Sequence, residues 1–172
     1  GKNVLYITME MAEERIAERI DANLLDVNIK DIAELPRVIF ENKVSKIAKK
    51  TQGSLVIKEY PTRSASVNVL AAHLEKLKKR NQKIDMIIID YADLLRSGGN
   101  FKEKRHDLES IYESLRALAQ ENGCPVWTAS QTNRSGLNAE VITMESISEA
   151  FNKCFVADFI FSISRTVKDK TT

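Results

Sequence analysis

Three polar side chains each follow a short apolar run of strand length. These side chains are Glu10, Asp90 and Gln131. A carboxylate can polarise a water or hold a hard cation such as Mg²⁺, and an amide can orient a water or contact a phosphate oxygen. Acids that end an apolar strand are typical of sites that bind a metal and a phosphate group, so the three residues form one site hypothesis.

Each of the three residues also has a purely structural interpretation. Glu10 could be an acid at the start of a helix, where the helix dipole favours a negative charge. Asp90 could cap the turn that follows its strand, and Gln131 could satisfy backbone groups of a loop. The sequence alone leaves these alternatives open for each residue taken separately.

The elements that would position these residues alternate between strand and helix. Apolar runs predict strands at 4–7, 54–59, 84–89, 125–129 and 155–164, and helical periodicity predicts helices at 11–25, 38–50, 67–80, 107–122 and 144–152. This alternation is typical of a parallel sheet flanked by helices. Because ligands bind beyond the carboxyl ends of parallel strands, we expect the three side chains at one edge. No repeat or linker divides residues 1–172, so a single α/β domain is predicted.

Composition supports a folded domain and excludes several classes. The 172 residues are 43% hydrophobic and 29% charged, with six glycines and three prolines, which excludes disordered and collagen-like chains. The formal net charge of +2 neither requires nor excludes nucleic acid. No signal peptide or membrane-length apolar run is present. Cys124 and Cys154 form no CxxC pair, so both are predicted to be buried thiols in a reducing cytoplasm.

Periodicity predicts which apolar residues are buried. Buried stripes are expected on three helices, and residues 84–89 are expected in a central strand covered on both faces. The stripe residues are Ile16, Ile20 and Leu24, then Ile39, Val44 and Ile47, then Leu108, Ile111, Leu115 and Leu118. Strand aromatics are expected in the core, namely Trp127, Phe155, Phe159 and Phe161. His73 and His106 are expected to be ordinary helix or loop residues.

Three motifs together resemble the RecA-like motor domain of the DnaB family of replicative helicases. They are Ile-Thr-Met-Glu-Met at 7–11, Ile-Ile-Ile-Asp-Tyr at 87–91 and Ser-Gln-Thr-Asn-Arg at 130–134. Segments 114–119, 145–149 and 157–160 also match, and the opening through Ile20 to Asn23 is similar to helicases of large tailed phages. The resemblance covers nearly the whole chain. It implies the RecA-like P-loop NTPase fold and an ATP-dependent DNA helicase.

The resemblance also implies a role for each site residue. Glu10 would polarise the water that attacks the γ-phosphate of ATP, Asp90 would hold Mg²⁺ through water, and Gln131 would sense the γ-phosphate. Segments 96–105 and 134–141 would be DNA loops of a central channel. Cations in these segments would contact single-stranded DNA phosphates, namely Lys102, Lys104, Arg105 and Arg134. An exposed, solubilising loop is the alternative for the first three.

The resemblance further implies a homohexamer, contacts with a primase and a helicase loader, and a place in the cytoplasm of a bacterial host. A recombinase or clock-type relative is a second hypothesis, although the residues of the first and third motifs argue against it. A non-catalytic scaffold or DNA-binding module is a third, because the chain lacks one expected motif.

That motif is the phosphate-binding loop GxxxxGK[ST], which is absent from these residues. Gly1 and Lys2 are not its remnant, because a strand rather than a helix follows them. The resemblance therefore implies an N-terminally truncated piece with negligible affinity for ATP, and an arginine finger beyond Thr172. It predicts the strand order 54–59, 3–9, 84–89, 125–130, then a missing strand, then 156–163. We expect the last strand to close onto the Trp127 strand or to pair with another copy of the chain.

Overall fold

The computed structural model of the chain contains a parallel sheet with helices packed against it. It describes residues 1–99, 104–131 and 153–163. The strands are β1 (Val4–Thr8), β2 (Leu55–Glu59), β3 (Met86–Asp90) and β4 (Val126–Thr128). The helices are α1 (Glu13–Leu25), α2 (Arg37–Lys50), α3 (Val67–Lys79), α4 (Lys104–Asn122) and α5 (Lys153–Val156), and short 3₁₀ turns lie at Ile32–Glu34 and Ala92–Leu94.

The four strands lie in the order β2-β1-β3-β4, and every neighbouring pair is parallel. In this order β1 pairs with both β2 and β3, so the ends of β1 and β3 are fixed to one another. Thr8 lies opposite Asp90 in this register. The predicted order of the first four strands is confirmed.

The main core lies on one face of the sheet. Leu5, Ile7, Ile87 and Ile89 are at most 1% exposed and pack with buried residues of α3 and α4. Strand side chains alternate between the two faces, so these four point to the same side. The predicted α4 stripe from Leu108 to Leu118 is confirmed, as all four of its residues are buried. Cys124 and Cys154 are buried and free, as predicted.

The opposite face of β3 is only partly covered, which corrects the prediction of a strand buried on both sides. Met86 and Ile88 are half-buried. They line a groove of about 490 Å³ together with Tyr6 and Trp127. None of the described helices fills this groove. The apolar side chains on this face of β3 therefore line a surface that the described residues leave open.

Two helices bury less than their periodicity predicts. In α1 the buried residues are Ile16, Ala22 and Leu25, whereas Leu24 is 54% exposed. In α2 no residue is buried, and Ile39 and Val44 are exposed. The amphipathic pattern forms the helix in both cases, but burial requires a facing element, and α2 contacts little besides α1 in the described structure.

The predicted strand at 155–164 is wrong over the described residues. Residues 153–156 form α5 and residues 157–163 form no strand. The four aromatics predicted to be core are exposed, with Phe159 at 76% and Trp127 at 42%. Phe161 meets Trp127 through its ring, at 5.9 Å between centroids. A strand requires a backbone ladder, and ring contact supplies none. Pairing with another copy of the chain stays a prediction.

His73 on α3 is a half-buried base whose protonation should weaken the fold. Its ring stacks edge-on against Tyr60, and its buried Nε2 atom has no hydrogen-bond partner among the described residues. Burial, followed by the nearby charge of Lys58, lowers the pKa of His73 below its ordinary value. The unfolded chain therefore binds this proton more readily than the folded chain.

We expect the thermal unfolding midpoint to be highest above about pH 6.5, the ordinary histidine pKa, and to fall as the pH drops below it. His73→Phe should flatten this part of the profile, whereas His106→Gln, a change at an exposed ring on α4, should not. Calorimetry at pH 5.5 and 7.5 measures both effects. Equal slopes for His73→Phe and the unmodified chain would contradict the assignment.

Candidate nucleotide site

The turn after β1 holds Glu10 at the carboxyl edge of the sheet. Thr8 is 1% exposed; its Oγ1 donates to the Met11 carbonyl at 2.9 Å and accepts from the Met11 N–H at 3.2 Å. Met9 is buried, and its carbonyl accepts a hydrogen bond from the Thr62 hydroxyl at 2.9 Å. Since the residue before Glu10 is fixed in the core, the exposed Glu10 carboxylate is presented to solvent from an anchored turn.

Asp90 lies at the end of β3, next to β1. The Met9 N–H donates to the Asp90 carbonyl at 2.9 Å, which joins the two strand ends. The Tyr6 hydroxyl donates to Asp90 Oδ2 at 2.8 Å. Burial, then the hydrogen bond to Asp90, raises the pKa of Tyr6 to about 12. Tyr6 therefore stays protonated at neutral pH and orients the carboxylate.

Glu10 and Asp90 lie near one another, because Glu10 directly follows Met9, whose N–H donates to the Asp90 carbonyl. Burial raises the pKa of the Tyr91 phenol first, and the nearby carboxylates of Glu10, Asp93 and Asp90 raise it further. The structure thus brings together the two acids that the sequence singled out. The peptide bond between Asp90 and Tyr91 is cis.

Gln131 follows β4, the neighbour of β3 on the side away from β1. Thr128 ties these strand ends together, because its Oγ1 donates to the Ile89 carbonyl and accepts from the Ala92 N–H, both at 2.9 Å. Gln131 is three residues further along and exposed. The residues singled out in sequence therefore lie at or just beyond the ends of three adjacent parallel strands, at the same edge.

Asp90 fits Mg²⁺ as a single carboxylate, not as part of a complete set of protein ligands. The described residues contain no cluster of three or more acidic, histidine or cysteine side chains that could enclose a metal ion. Mg²⁺ in nucleotide sites is usually held by one or two carboxylates with substrate phosphates and waters. A strand-end carboxylate with one oxygen bound by Tyr6 leaves its second oxygen to accept from a metal-bound water.

The cationic residues predicted to contact DNA are only partly described. Lys104 and Arg105 begin α4, which corrects the prediction that the loop continues to Arg105; the helix starts about three residues earlier than its apolar period indicates. Arg105 is exposed. Lys102 and Arg134 lie outside the described residues, as do the predicted segment 134–141 and helix 144–152.

The base of the first predicted DNA loop is anchored on both sides. The Ser97 hydroxyl donates to Asp107 Oδ1 on α4 at 2.7 Å, and the Arg96 N–H donates to the Ala65 carbonyl at 2.9 Å. The residues at the start of this loop are thus held against α4 and against the segment that precedes α3.

Several site residues escaped the sequence analysis. Tyr6 and Thr128 contact the strand ends, and a polar cluster joins Asp93 to Lys153. A hydroxyl inside an otherwise apolar strand was the available signal for the first two. The partners lie 84 and 39 residues away in the chain, so no spacing rule links them.

Comparison with known proteins identifies the family of the chain. The family model described as DnaB-like helicase C terminal domain matches residues 1–141. The chain belongs to the DnaB-like helicase C-terminal domain family. The chain is 38% identical over 173 residues to the DnaB-like replicative helicase of Enterobacteria phage T4, an alignment that covers 96% of this chain and 36% of the relative. It is 30% identical to a probable plasmid replicative DNA helicase of Chlamydia psittaci, over 78% of this chain and 29% of that protein.

Solved structures share the fold. A DnaB-like replicative helicase, from a study of its interactions with primase, has a TM-score of 0.77 at 18% identity over 91% of this chain and 40% of its own. A second solved structure, of an ATPase domain, has a TM-score of 0.75 at 18% identity, over 91% of this chain and 57% of its own. These likenesses bear out the RecA-like α/β class. The chain spans about a third of the length of the curated relatives it matches. No helix among the described residues is long and apolar enough to cross a membrane.

Proposed function

We propose that this chain forms part of the motor of an ATP-dependent replicative DNA helicase, which couples ATP hydrolysis to movement along single-stranded DNA and to unwinding of duplex. The observation that carries the proposal is the position of Glu10, Asp90 and Gln131 at or just beyond the ends of three adjacent parallel strands. This is the edge at which α/β sheets bind ligands. The family to which the chain belongs supports the same assignment.

In this proposal each side chain has one task. The exposed Glu10 carboxylate accepts a hydrogen bond from the attacking water and polarises it. Asp90, oriented by Tyr6, would hold Mg²⁺ through its waters, and the metal would supply positive charge to the phosphate oxygens. The Gln131 amide contacts the γ-phosphate, and the adjoining residues carry its state towards DNA.

The same proposal includes the partners of the whole protein. Single-stranded DNA would be held by backbone charge through Lys102, Lys104, Arg105 and Arg134. A homohexamer, a primase and a helicase loader are the protein partners, and the host cytoplasm is the place of action. The recombinase-like and scaffold hypotheses are less favoured, because the matching family consists of helicase domains.

A titration tests the nucleotide part of the proposal. These 172 residues contain no GxxxxGK[ST] loop, so they lack the backbone amides and lysine that hold phosphates. We expect calorimetry of Mg-ATP against the 172-residue chain to show no binding tighter than about 1 mM, or about −4 kcal/mol. A longer polypeptide that also carries such a loop should bind Mg-ATP and hydrolyse it faster with single-stranded DNA.

Two results would contradict this account. Micromolar binding by the 172-residue chain would mean that its own residues hold the phosphates. A longer polypeptide that binds DNA but neither binds nor hydrolyses ATP would favour the non-catalytic module.

A further inference from the structure

A buried polar cluster lies beside the candidate site and has no part in the mechanism described so far. Lys153, the first residue of α5, is 2% exposed. Its Nζ donates to Asp93 Oδ2 at 3.0 Å and to Ser130 Oγ at 2.6 Å. The Ser130 hydroxyl in turn donates to Asp93 Oδ2 at 3.0 Å, and the Tyr112 hydroxyl donates to Asp93 Oδ1 at 2.7 Å. We call these four residues the Lys153 cluster.

The Lys153 cluster is a costly way to fill a small volume. Removing an ammonium and a carboxylate from water carries a large desolvation penalty, and apolar side chains of similar size often stabilise a fold equally well. The Lys153 ammonium also lies 5.6 Å from the centre of the Tyr112 ring, so aromatic contact adds to the ion pair. What the polar cluster provides beyond an apolar one is direction, because its hydrogen bonds hold particular atoms at particular places.

The atoms held in place belong to the two segments that follow β3 and β4. Ser130 immediately precedes Gln131, and Asp93 follows Asp90 by three residues in the 3₁₀ turn. The bond between Thr128 and the Ala92 N–H fixes the same two segments from the strand side. Ser130 itself is on an exposed stretch after β4, so within the described residues the Lys153 cluster is what ties its side chain down.

We propose that Lys153 is a positioning residue for Gln131. Its ammonium draws Ser130 against Asp93 and thereby fixes the neighbouring Gln131 relative to Asp90. Lys153 acts through Ser130, without touching the nucleotide. The inference rests on the proposed function, since it takes Gln131 as the residue that contacts the γ-phosphate.

The sharpest test removes the link and keeps the ion pair. In a polypeptide that carries this chain with a phosphate-binding loop, Ser130→Ala should lower kcat for ATP by about tenfold, as a small misplacement of a positioned group does, with KM near the unmodified value. The unfolding midpoint of the 172-residue chain should fall less than in Lys153→Met, because Lys153 and Asp93 remain paired and each loses only its hydrogen bond to Ser130. Ser114→Ala on the exposed face of α4 is the matched control and should change neither quantity.

A double-mutant cycle assigns the effect to Lys153. Lys153→Met should give the same loss of kcat with a lower unfolding midpoint, and adding Ser130→Ala should lower kcat no further. Unmodified kinetics in Ser130→Ala, or additive losses in the cycle, would overturn the proposal. Because Ser130→Ala keeps the buried pair, it decides the matter even if Lys153→Met does not fold.

Gln131→Ala separates the positioning role of Lys153 from the proposed role of Gln131, on which it rests. A defect in Gln131→Ala with normal Ser130→Ala would overturn only the positioning role of Lys153. An unmodified rate in Gln131→Ala would overturn the assignment of Gln131 itself, and with it the reason for positioning it.

Discussion

Glu10→Gln should lower the rate of ATP hydrolysis by about 10²–10⁴-fold, the contribution of a general base, in a polypeptide that carries this chain and a phosphate-binding loop. The amide keeps the shape of the side chain but is a poor base, so the water is no longer polarised. Mg-ATP binding should remain, because Glu10 is exposed and the strand ends are joined by backbone groups of other residues. Steady-state hydrolysis and a nucleotide-binding titration measure the two effects separately.

Glu14→Gln is the matched control for this substitution. Glu14 is an exposed acid in the first turn of α1, four residues along the chain. The same chemical change there should leave hydrolysis within about twofold, since surface substitutions away from a site are close to neutral. Equal losses in the two variants would show a general effect of charge, and an active Glu10→Gln would remove Glu10 from the mechanism.

Asp90→Asn should reduce hydrolysis by about 10²–10³-fold, as loss of one preorganised electrostatic group does. The neutral amide attracts a hydrated Mg²⁺ less strongly, and its NH₂ group faces the Tyr6 hydroxyl if the oxygen is turned outward. The requirement for Mg²⁺ should also rise, so that added Mg²⁺ recovers part of the rate. A magnesium titration of the hydrolysis rate measures both changes.

Asp85→Asn tests whether the position on the strand matters. Asp85 directly precedes β3, at the end opposite Asp90, and its Oδ2 accepts from the Asn3 N–H at 2.9 Å. That hydrogen bond lowers the pKa of the Asp85 carboxyl, so this substitution should affect stability and leave the magnesium dependence unchanged. Matching magnesium curves for both variants would contradict the role of Asp90.

The sheet was predictable from the sequence because its signals are local. Apolar runs such as Met86–Ile89 in β3 form strands, and the spacing from Leu108 to Leu118 places one face of α4 in the core. The edge on which Glu10 and Asp90 meet follows from parallel strands alone. The individual strands and helices depend on neighbours within a few residues, which a single sequence contains, whereas the strand order was predicted from the family resemblance.

The last predicted strand failed for a reason that periodicity cannot detect. Alternating apolar residues at 155–163 describe a segment able to be a strand, but a strand exists only where another backbone pairs with it. β4 is only three residues long, and Phe161 contacts it through its ring, against Trp127, and not through backbone hydrogen bonds of a strand pair. The unburied stripe of α2 failed in the same way, because its apolar residues need a facing surface.

The interior chemistry of the site depended on contacts across the chain. Lys153 meets Asp93 across 60 residues, and Tyr6 meets Asp90 across 84. In sequence Lys153 is one of many lysines, and only the fold makes it a buried one. Candidate reacting groups can therefore be predicted from their strand ends, while the residues that orient them cannot.

The central claim is that Glu10, Asp90 and Gln131 act on one phosphate group. The most direct test is a crystal structure of a polypeptide that includes this chain and a phosphate-binding loop, with Mg²⁺ and a non-hydrolysable ATP analogue. We expect the γ-phosphate between the three side chains, with Asp90 accepting from a water bound to Mg²⁺ at about 2.1 Å. A γ-phosphate seated away from this edge, with Glu10 and Gln131 both out of reach of it, would contradict the account.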